Sequence, residues 1–169
     1  MMRLKNFTNL SQQESREVFL WRNSEEISCF MKTKNISWEE HIAFLEKLKE
    51  EVTKQYFLVF DGEVAVGVVD FVDIQRGDSC EFGIYQNPNL KGYGKGLMEV
   101  VIKYAFETLK VKNLYACAFN ENQKAISLYL KFGFILTKKD AKMSYFKCSR
   151  GGGVNNIFYG LPFFQREVS

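Results

Sequence analysis

A glycine-rich stretch near the middle of the chain constrains its fold more than any other feature. Residues 87–98 read Asn-Pro-Asn-Leu-Lys-Gly-Tyr-Gly-Lys-Gly-Leu-Met. The apolar run over 80–85 predicts a strand before this stretch, and the spacing from Leu97 onward predicts a helix after it. Glycines at such a turn let backbone N–H groups approach an anion, and Lys91 and Lys95 add positive charge. We therefore expect a phosphate-bearing ligand at this turn.

The spacing of the three glycines differs from that of two common phosphate-binding loops. A dinucleotide-binding loop needs Gly-x-Gly-x-x-Gly, but the third glycine here comes one residue early. A Walker loop needs Ser or Thr after Gly-Lys, but Gly96 follows Lys95. From this segment alone, a glycine-rich turn without a ligand stays open as the alternative.

A second motif, over residues 122–134, makes the interpretation specific. Its fixed positions are Asn122, Ala125, Tyr129, Gly133 and Phe134. Together with Lys-x-x-Gly-x-Gly over 91–96, it resembles the two core motifs of the GCN5-related N-acetyltransferases, the GNAT family. Lys91 stands where that family usually has Arg or Gln, which keeps the charge but loses a planar donor. The resemblance extends over roughly the whole chain through Cys148.

The apolar pattern predicts one α/β domain over residues 1–148, with the element order β-α-α-α-β-β-β-α-β-α-β-β. Ser11, Ser24 and Ser37 are the predicted N-caps of the first three helices, and Ser37 with Glu40 forms a capping box. The predicted apolar stripe of the third helix is Trp38, Ile42, Leu45, Leu48 and Val52. The resemblance implies the same architecture, a mixed, mostly antiparallel sheet with a splayed strand pair and flanking helices.

Charge and residue content exclude several classes of function. The formal net charge is +3 and the basic residues are spread along the chain, so no nucleic-acid partner is predicted. His41 is the single histidine and the four cysteines form no C-x-x-C pair, which argues against a metal site, a disulfide framework and a histidine-based hydrolase. We expect reduced core thiols. Without an apolar leader or a run of about 18 apolar residues, we expect a cytoplasmic protein that does not enter a membrane.

The C-terminal segment, residues 149–169, differs in composition from the rest. Three glycines at 151–153 resemble a flexible joint, and the residues after them are strongly apolar. The segment has three interpretations: it covers a groove of its own chain, contacts a second copy in a homodimer, or is an added sequence.

The resemblance implies acetyl-CoA as co-substrate and direct attack of an amine on its thioester. The pantetheine arm would lie along the splayed strand at Phe82, Gly83, Ile84 and Tyr85. The pyrophosphate would lie over Lys91, Gly92, Gly94, Lys95, Gly96 and Leu97. Asn122 and Ala125 would also contact the cofactor, although helix capping is an alternative role for Asn122.

Two proton transfers complete the implied mechanism. Tyr129 would supply the proton to the leaving thiolate, because a phenol with a reference pKa of about 10 stays protonated at neutral pH. A core aromatic is the alternative role for Tyr129. Glu81 is the first candidate for the base, with a solvated strand glutamate as its alternative. His41 is the second candidate for the base, although a lone helix histidine is more often structural or in contact with substrate.

The N-terminal helices and their loop would bind the amine acceptor. Over 4–7, 21–23, 30–34, 56–60, 69–72, 80–83 and 87–92, the chain resembles the branch of the family that acts in pseudaminic acid biosynthesis. That branch acetylates the 4-amino group of a UDP-linked 4-amino-4,6-dideoxy sugar. Arg22, Lys32 and His41 would then contact the substrate, with the tryptophan at 21 or a nearby aromatic stacked on uracil. The alternatives are acetylation of protein N-termini or polyamines, and a non-catalytic CoA-binding module.

Overall fold

The computed structural model describes residues 2–150, which form seven strands and five α-helices. In chain order the elements are β1 (Met2–Asn6), a 3-10 turn (Phe7–Asn9), α1 (Gln12–Asn23), α2 (Glu25–Ser28), α3 (Trp38–Leu48), β2 (Gln55–Asp61), β3 (Val64–Gln75), β4 (Ser79–Gln86), α4 (Gly94–Lys103), a π-helical turn (Tyr104–Thr108), β5 (Asn113–Phe119), α5 (Gln123–Lys131), β6 (Ile135–Lys139) and β7 (Met143–Ser149). The sheet has the strand order β1-β2-β3-β4-β5-β7-β6. The predicted element order and the predicted mixed sheet are confirmed.

The described residues divide into two compact units. The first comprises residues 2–72 and 83–97, and the second comprises residues 73–82 and 98–150. The predicted C-terminal segment from 151 onward lies outside the described residues. Within the range 2–150, no helix is long and apolar enough to cross a bilayer.

In the first unit, β2 pairs antiparallel with both β1 and β3. Apolar side chains of helices α1 to α3 pack with side chains of β2 and β3 in one core, because alternate strand residues point to the same face of the sheet. This core contains Phe7, Val18, Trp21, Ile27, Leu45, Leu48, Leu58, Phe60 and Val68.

The helix starts of the first unit follow the capping signals in two of three cases. Ser11 with Glu14, and Ser37 with Glu40, form complete capping boxes. Ser24 precedes α2, but its hydroxyl donates to the Trp21 carbonyl oxygen at 2.7 Å and does not cap the helix. Ser24 therefore stands at the predicted N-cap position, but its side chain is turned back toward the end of α1 and does not supply the capping hydrogen bond.

The buried face of α3 differs from the predicted stripe. His41, Leu45 and Leu48 are buried, whereas Ile42 is 37% exposed and Val52 is 83% exposed. The helix ends at Leu48, so helical spacing no longer places Val52 on the same face. The predicted stripe was therefore wrong at Val52, which lies beyond the helix, and at Ile42, where the neighbouring His41 takes the inward position instead.

In the second unit, β7 lies between β5 and β6 and pairs antiparallel with both. Strands β4 and β5 pair in parallel through three residue pairs, from Ser79↔Asn113 to Glu81↔Tyr115. Strand β4 itself continues to Gln86, beyond this short ladder. Its last residues therefore have backbone groups that this ladder does not use.

Gly67 allows a close approach between β3 and β4 in the first unit. A Cβ atom at Gly67 would lie 2.6 Å from the Tyr85 carbonyl oxygen, 2.9 Å from Leu97 Cδ1 and 3.2 Å from Gln86 Cα. Two of these atoms belong to the backbone, which cannot rotate away as a side chain can. A glycine is therefore required at this position for β4 to keep its place.

We predict that Gly67→Ala lowers the free energy of unfolding by about 1–3 kcal/mol, because the added methyl group overpacks the contact with β4. Urea denaturation followed by circular dichroism measures this change. Val64→Ala is the control: Val64 lies on the same strand and is 49% exposed, so its effect should stay within about 0.5 kcal/mol. Equal stabilities of the two variants would contradict the proposed role of Gly67.

Candidate active site

The loop between β4 and α4 is held in shape by the side chain of Gln86. Its Nε2 donates to the Leu90 carbonyl oxygen, and its Oε1 accepts a hydrogen bond from the Tyr93 N–H at 2.9 Å. One amide side chain at the end of β4 thus contacts two later positions of the loop. The sequence analysis did not identify Gln86. A polar residue at the junction of strand and loop is the signal that could have revealed it.

Asn87 attaches the same loop to β3. It is 8% exposed, its backbone N–H donates to the Val66 carbonyl oxygen at 2.9 Å, and its Nδ2 donates to the Ala65 carbonyl oxygen at 3.0 Å. Its Oδ1 accepts from the Asn89 N–H at 2.9 Å. The glycine-rich turn is therefore anchored to the sheet through the buried residue Asn87. This role also escaped the sequence analysis.

The glycine-rich turn leads directly into α4. Gly92 has a φ of +85°, a conformation that favours glycine, and α4 begins at Gly94, three residues before the predicted start. The Leu97 N–H donates to the Tyr93 carbonyl oxygen at 2.9 Å. The N–H groups of residues 94–96 precede this bond and have no acceptor within the helix. With the exposed Lys91 and the positive end of the helix dipole, they can bind an anion.

The predicted cofactor strand, residues 82–85, combines buried and accessible positions. Phe82 is 3% exposed, whereas Gly83, Ile84 and Tyr85 are half-buried. This difference leaves part of the strand within reach of a ligand.

Tyr129 lies in an aromatic cluster of the second unit and is 5% exposed. Its ring centroid is 5.4 Å from that of Phe82, 5.6 Å from that of Phe146 and 6.0 Å from that of Phe134. The ring therefore has the core role that was its alternative interpretation. The proton-donating role of the hydroxyl stays a prediction.

Asn122 caps α5, since its Oδ1 accepts a hydrogen bond from the Ala125 N–H at 3.2 Å. The capping alternative is thus confirmed. Contact of Asn122 and Ala125 with a cofactor stays a prediction.

Glu81 is half-buried on β4, and the Cys117 thiol lies 3.9 Å from its Oε2. Burial raises the pKa of the neighbouring Cys80 thiol to about 12, and the negative charge of Glu81 adds to this rise. Cys80 and Cys148 are core thiols, as predicted, whereas Cys29 is exposed. Within residues 2–150, no group of three or more His, Cys, Asp or Glu side chains forms a candidate metal site.

Arg22 and Asn23 hold the loop between α2 and α3. The Arg22 guanidinium donates to the Thr33 carbonyl oxygen at 2.6 Å and to the Lys34 carbonyl oxygen at 2.8 Å. Asn23 exchanges two hydrogen bonds with the backbone of Ile36, at 2.8 and 3.0 Å. Lys32 lies exposed on this loop. Two donors of Arg22 are therefore committed to the protein itself.

His41 is 4% exposed and packs against the rings of Phe19 and Trp38, each at 5.5 Å between centroids. Its Nε2 is 3.1 Å from the Ser15 carbonyl oxygen, which can only accept, so this nitrogen carries the proton. Burial lowers the pKa of His41, and the hydrogen bond to Ser15 partly offsets this effect. This placement favours a structural role over contact with substrate. Trp21 is also buried, at 4% exposure, and cannot stack on a base.

Comparisons with known proteins agree with these features. The family model of the acetyltransferase (GNAT) domain matches residues 6–135. The acetyltransferase PseH of Campylobacter jejuni subsp. jejuni serotype O:23/36 (strain 81-176) is 52% identical over 140 residues, which cover 83% of this chain and 88% of that protein. The crystal structure of Campylobacter jejuni N-acetyltransferase PseH in complex with acetyl coenzyme A matches with a TM-score of 0.78 and 44% identity, covering 89% of this chain and 100% of the other.

A solved structure with lower sequence identity has a similar fold. The spermidine N-acetyltransferase of Vibrio cholerae, crystallised with CoA and spermine, has a TM-score of 0.80 at 21% identity over 88% of this chain and 95% of that protein. This likeness concerns the fold alone. Because the family model spans most of the sequence and agrees with the two motifs, the chain belongs to the GNAT family of acetyltransferases.

Proposed function

We propose that this protein is an acetyl-CoA-dependent N-acetyltransferase of pseudaminic acid biosynthesis. Its acceptor is the 4-amino group of UDP-4-amino-4,6-dideoxy-N-acetyl-altrosamine, a nucleotide sugar used for flagellin glycosylation. The observation that carries the proposal is the 52% identity to the acetyltransferase PseH over 83% of the chain. The reaction takes place in the cytoplasm.

The glycine-rich turn binds the pyrophosphate of acetyl-CoA in this proposal. Backbone N–H groups at the start of α4 donate to the phosphate oxygens, and Lys91 and Lys95 add charge. Gln86 and Asn87 hold the turn in one conformation, which lowers the entropic cost of binding. The related PseH has been crystallised with acetyl coenzyme A, which supports the assignment of the ligand.

Residues 82–85 of β4 take the pantetheine arm, and a backbone N–H of this strand stabilises the oxyanion of the intermediate. The amine nitrogen attacks the thioester carbon and forms the C–N bond. As the tetrahedral intermediate collapses, the C–S bond breaks and its electron pair leaves with sulfur. Tyr129 then gives its hydroxyl proton to the thiolate and is reprotonated from solvent. The products are an amide and free CoA.

The loop between α2 and α3 binds the acceptor. Arg22 acts mainly by holding this loop through Thr33 and Lys34. Lys32 is exposed on the loop, and its ammonium group is suited to the diphosphate of a nucleotide sugar. His41 supports the same region from inside the core, through its contact with Ser15.

The first test is thiol release from acetyl-CoA by the purified protein, measured with a panel of amines. We expect rapid turnover with the UDP-4-amino-4,6-dideoxy sugar and at least about tenfold lower kcat/KM with spermidine and with peptides that have free N-termini. Turnover of spermidine or peptides alone would discard the proposed acceptor but keep the transferase. Binding of acetyl-CoA without turnover of any amine would point to a non-catalytic module.

Replacement of Lys91 tests the cofactor site. We predict that Lys91→Ala raises the Kd for acetyl-CoA about three- to tenfold, because a positive charge beside the phosphates is lost. Isothermal titration calorimetry at two salt concentrations measures the change and its salt dependence. Lys103→Ala removes the same charge from the opposite end of α4 and serves as the control. Equal affinities of the two variants would contradict the assignment of the turn.

Replacement of Tyr129 tests the acid. We predict that Tyr129→Phe keeps acetyl-CoA binding within about twofold but lowers kcat at least about tenfold, since the ring packing remains and the donor is removed. Steady-state kinetics and calorimetry measure the two quantities. Tyr115→Phe removes a hydroxyl from a residue that is 37% exposed on β5 and should leave kcat unchanged. An unchanged kcat in Tyr129→Phe would remove this residue from the mechanism.

A further inference from the structure

Asp70, on β3 of the first unit, lies directly against the proposed cofactor strand. A Cβ atom at Gly83 would lie 2.7 Å from Asp70 Oδ2 and 3.2 Å from Oδ1. The carboxylate therefore covers the Cα atom of Gly83, a position that only glycine leaves open. Asp70 is half-buried, as are Gly83 and the rest of the strand to Tyr85.

Three charged or titratable groups share the surroundings of Asp70: Tyr56 on β2, Tyr85 on β4 and Arg22 on α1. Burial raises the pKa of both tyrosines, the charge of Asp70 raises each further, and Arg22 opposes the rise. Both phenols are thus protonated at neutral pH and cannot take up another proton. An arginine does not accept protons either. Of these four groups, the carboxylate of Asp70 alone can act as a proton acceptor.

This cluster connects the two substrate-binding regions assigned above to the first unit. Gly83 belongs to the strand proposed to take the pantetheine arm. Arg22 holds the loop proposed to bind the acceptor, through Thr33 and Lys34. The ring of Tyr56 packs on Phe44 at 4.9 Å between centroids, a contact that restricts the movement of this ring. The Asp70 carboxylate thus lies against the strand proposed for the pantetheine arm and in the same charged surroundings as Arg22, which holds the proposed acceptor loop.

We propose that Asp70 is the general base that deprotonates the acceptor amine, an inference that rests on the proposed function. The carboxylate takes one proton from the R–NH₃⁺ group and leaves the nitrogen lone pair free to form the C–N bond. The second proton of the nitrogen is lost to solvent as the intermediate collapses, and the C–S electron pair leaves with sulfur, which Tyr129 protonates. Asp70 returns its proton to solvent. The overall balance is one amide, one thiol and one proton released.

Glu81, predicted from the sequence as the base, is the rival. It precedes Gly83 by two residues on β4, so it points to the same face of the strand. Its Oε2 lies near the Cys117 thiol, at 3.9 Å. Asp70 instead lies over the middle of the segment proposed for the pantetheine arm. This position favours Asp70 over Glu81.

The test compares Asp70→Asn with Glu81→Gln and wild type, using whichever amine the wild type acetylates. At pH 7 we expect Asp70→Asn to lower kcat about 100-fold or more, with the Kd for acetyl-CoA within about twofold. Its activity should rise with pH up to the pKa of the amine, because only the unprotonated amine then reacts. Glu81→Gln should keep the wild-type pH profile. Asp73→Asn is the matched control, since Asp73 is exposed on the same strand and its φ of 51° suits asparagine.

The possible outcomes separate the role of Asp70 from that of Glu81, and both from the proposed acceptor. A kcat for Asp70→Asn within threefold of wild type, or a lower kcat with the wild-type pH profile, would overturn the role of Asp70. If Glu81→Gln loses the activity that the wild type shows at low pH, and Asp70→Asn keeps it, the base is Glu81. If the wild type acetylates another amine but not the nucleotide sugar, the proposed acceptor fails while the Asp70 comparison still applies. No turnover of any amine would overturn both.

Discussion

The close approach of β3 to β4 at Gly67 is the constraint on which the rest of the candidate site depends. Without a side chain at this position, the backbone of Tyr85 and Gln86 can lie against β3. The same approach brings the N–H and the amide group of Asn87 within hydrogen-bonding distance of two carbonyl oxygens of β3. The glycine-rich turn follows Asn87 directly in the chain, so these hydrogen bonds also fix where the turn begins. The proposed binding site for a flexible cofactor thus depends on a close contact between two strands.

In the first unit, two polar side chains hold the loop that is proposed to bind the acceptor. Arg22 and Asn23 end α1, and together they donate three hydrogen bonds to the backbone of residues 33–36. Such hydrogen bonds satisfy loop carbonyl groups that have no partner in regular secondary structure. They also reduce the number of conformations the loop can adopt before a substrate binds. This use of Arg22 is consistent with a site whose selectivity depends on the shape of the loop as well as on charge.

The two proton transfers of the proposed mechanism are assigned to very different surroundings. Tyr129 is packed among aromatic rings, which exclude water from its ring and hold its orientation. Asp70 lies in polar surroundings, which it shares with Tyr56, Tyr85 and Arg22. Apolar surroundings favour the protonated form of Tyr129, which gives a proton, and polar surroundings suit Asp70, which takes one. The assignment therefore follows from environment as much as from residue type.

The sequence by itself determined the order of elements, the helix caps at Ser11 and Ser37, the glycine-rich turn and the family. These features depend on residues close together in the chain, where helical and strand periodicity, turn chemistry and capping operate. Only the tertiary structure decided that His41 is buried against Ser15, that Arg22 is committed to Thr33 and Lys34, and that Asp70 covers Gly83. Each of these contacts joins residues more than ten positions apart. Local pattern carries no information on which distant side chain a buried polar group will meet, because that choice is made by the packing of the whole unit.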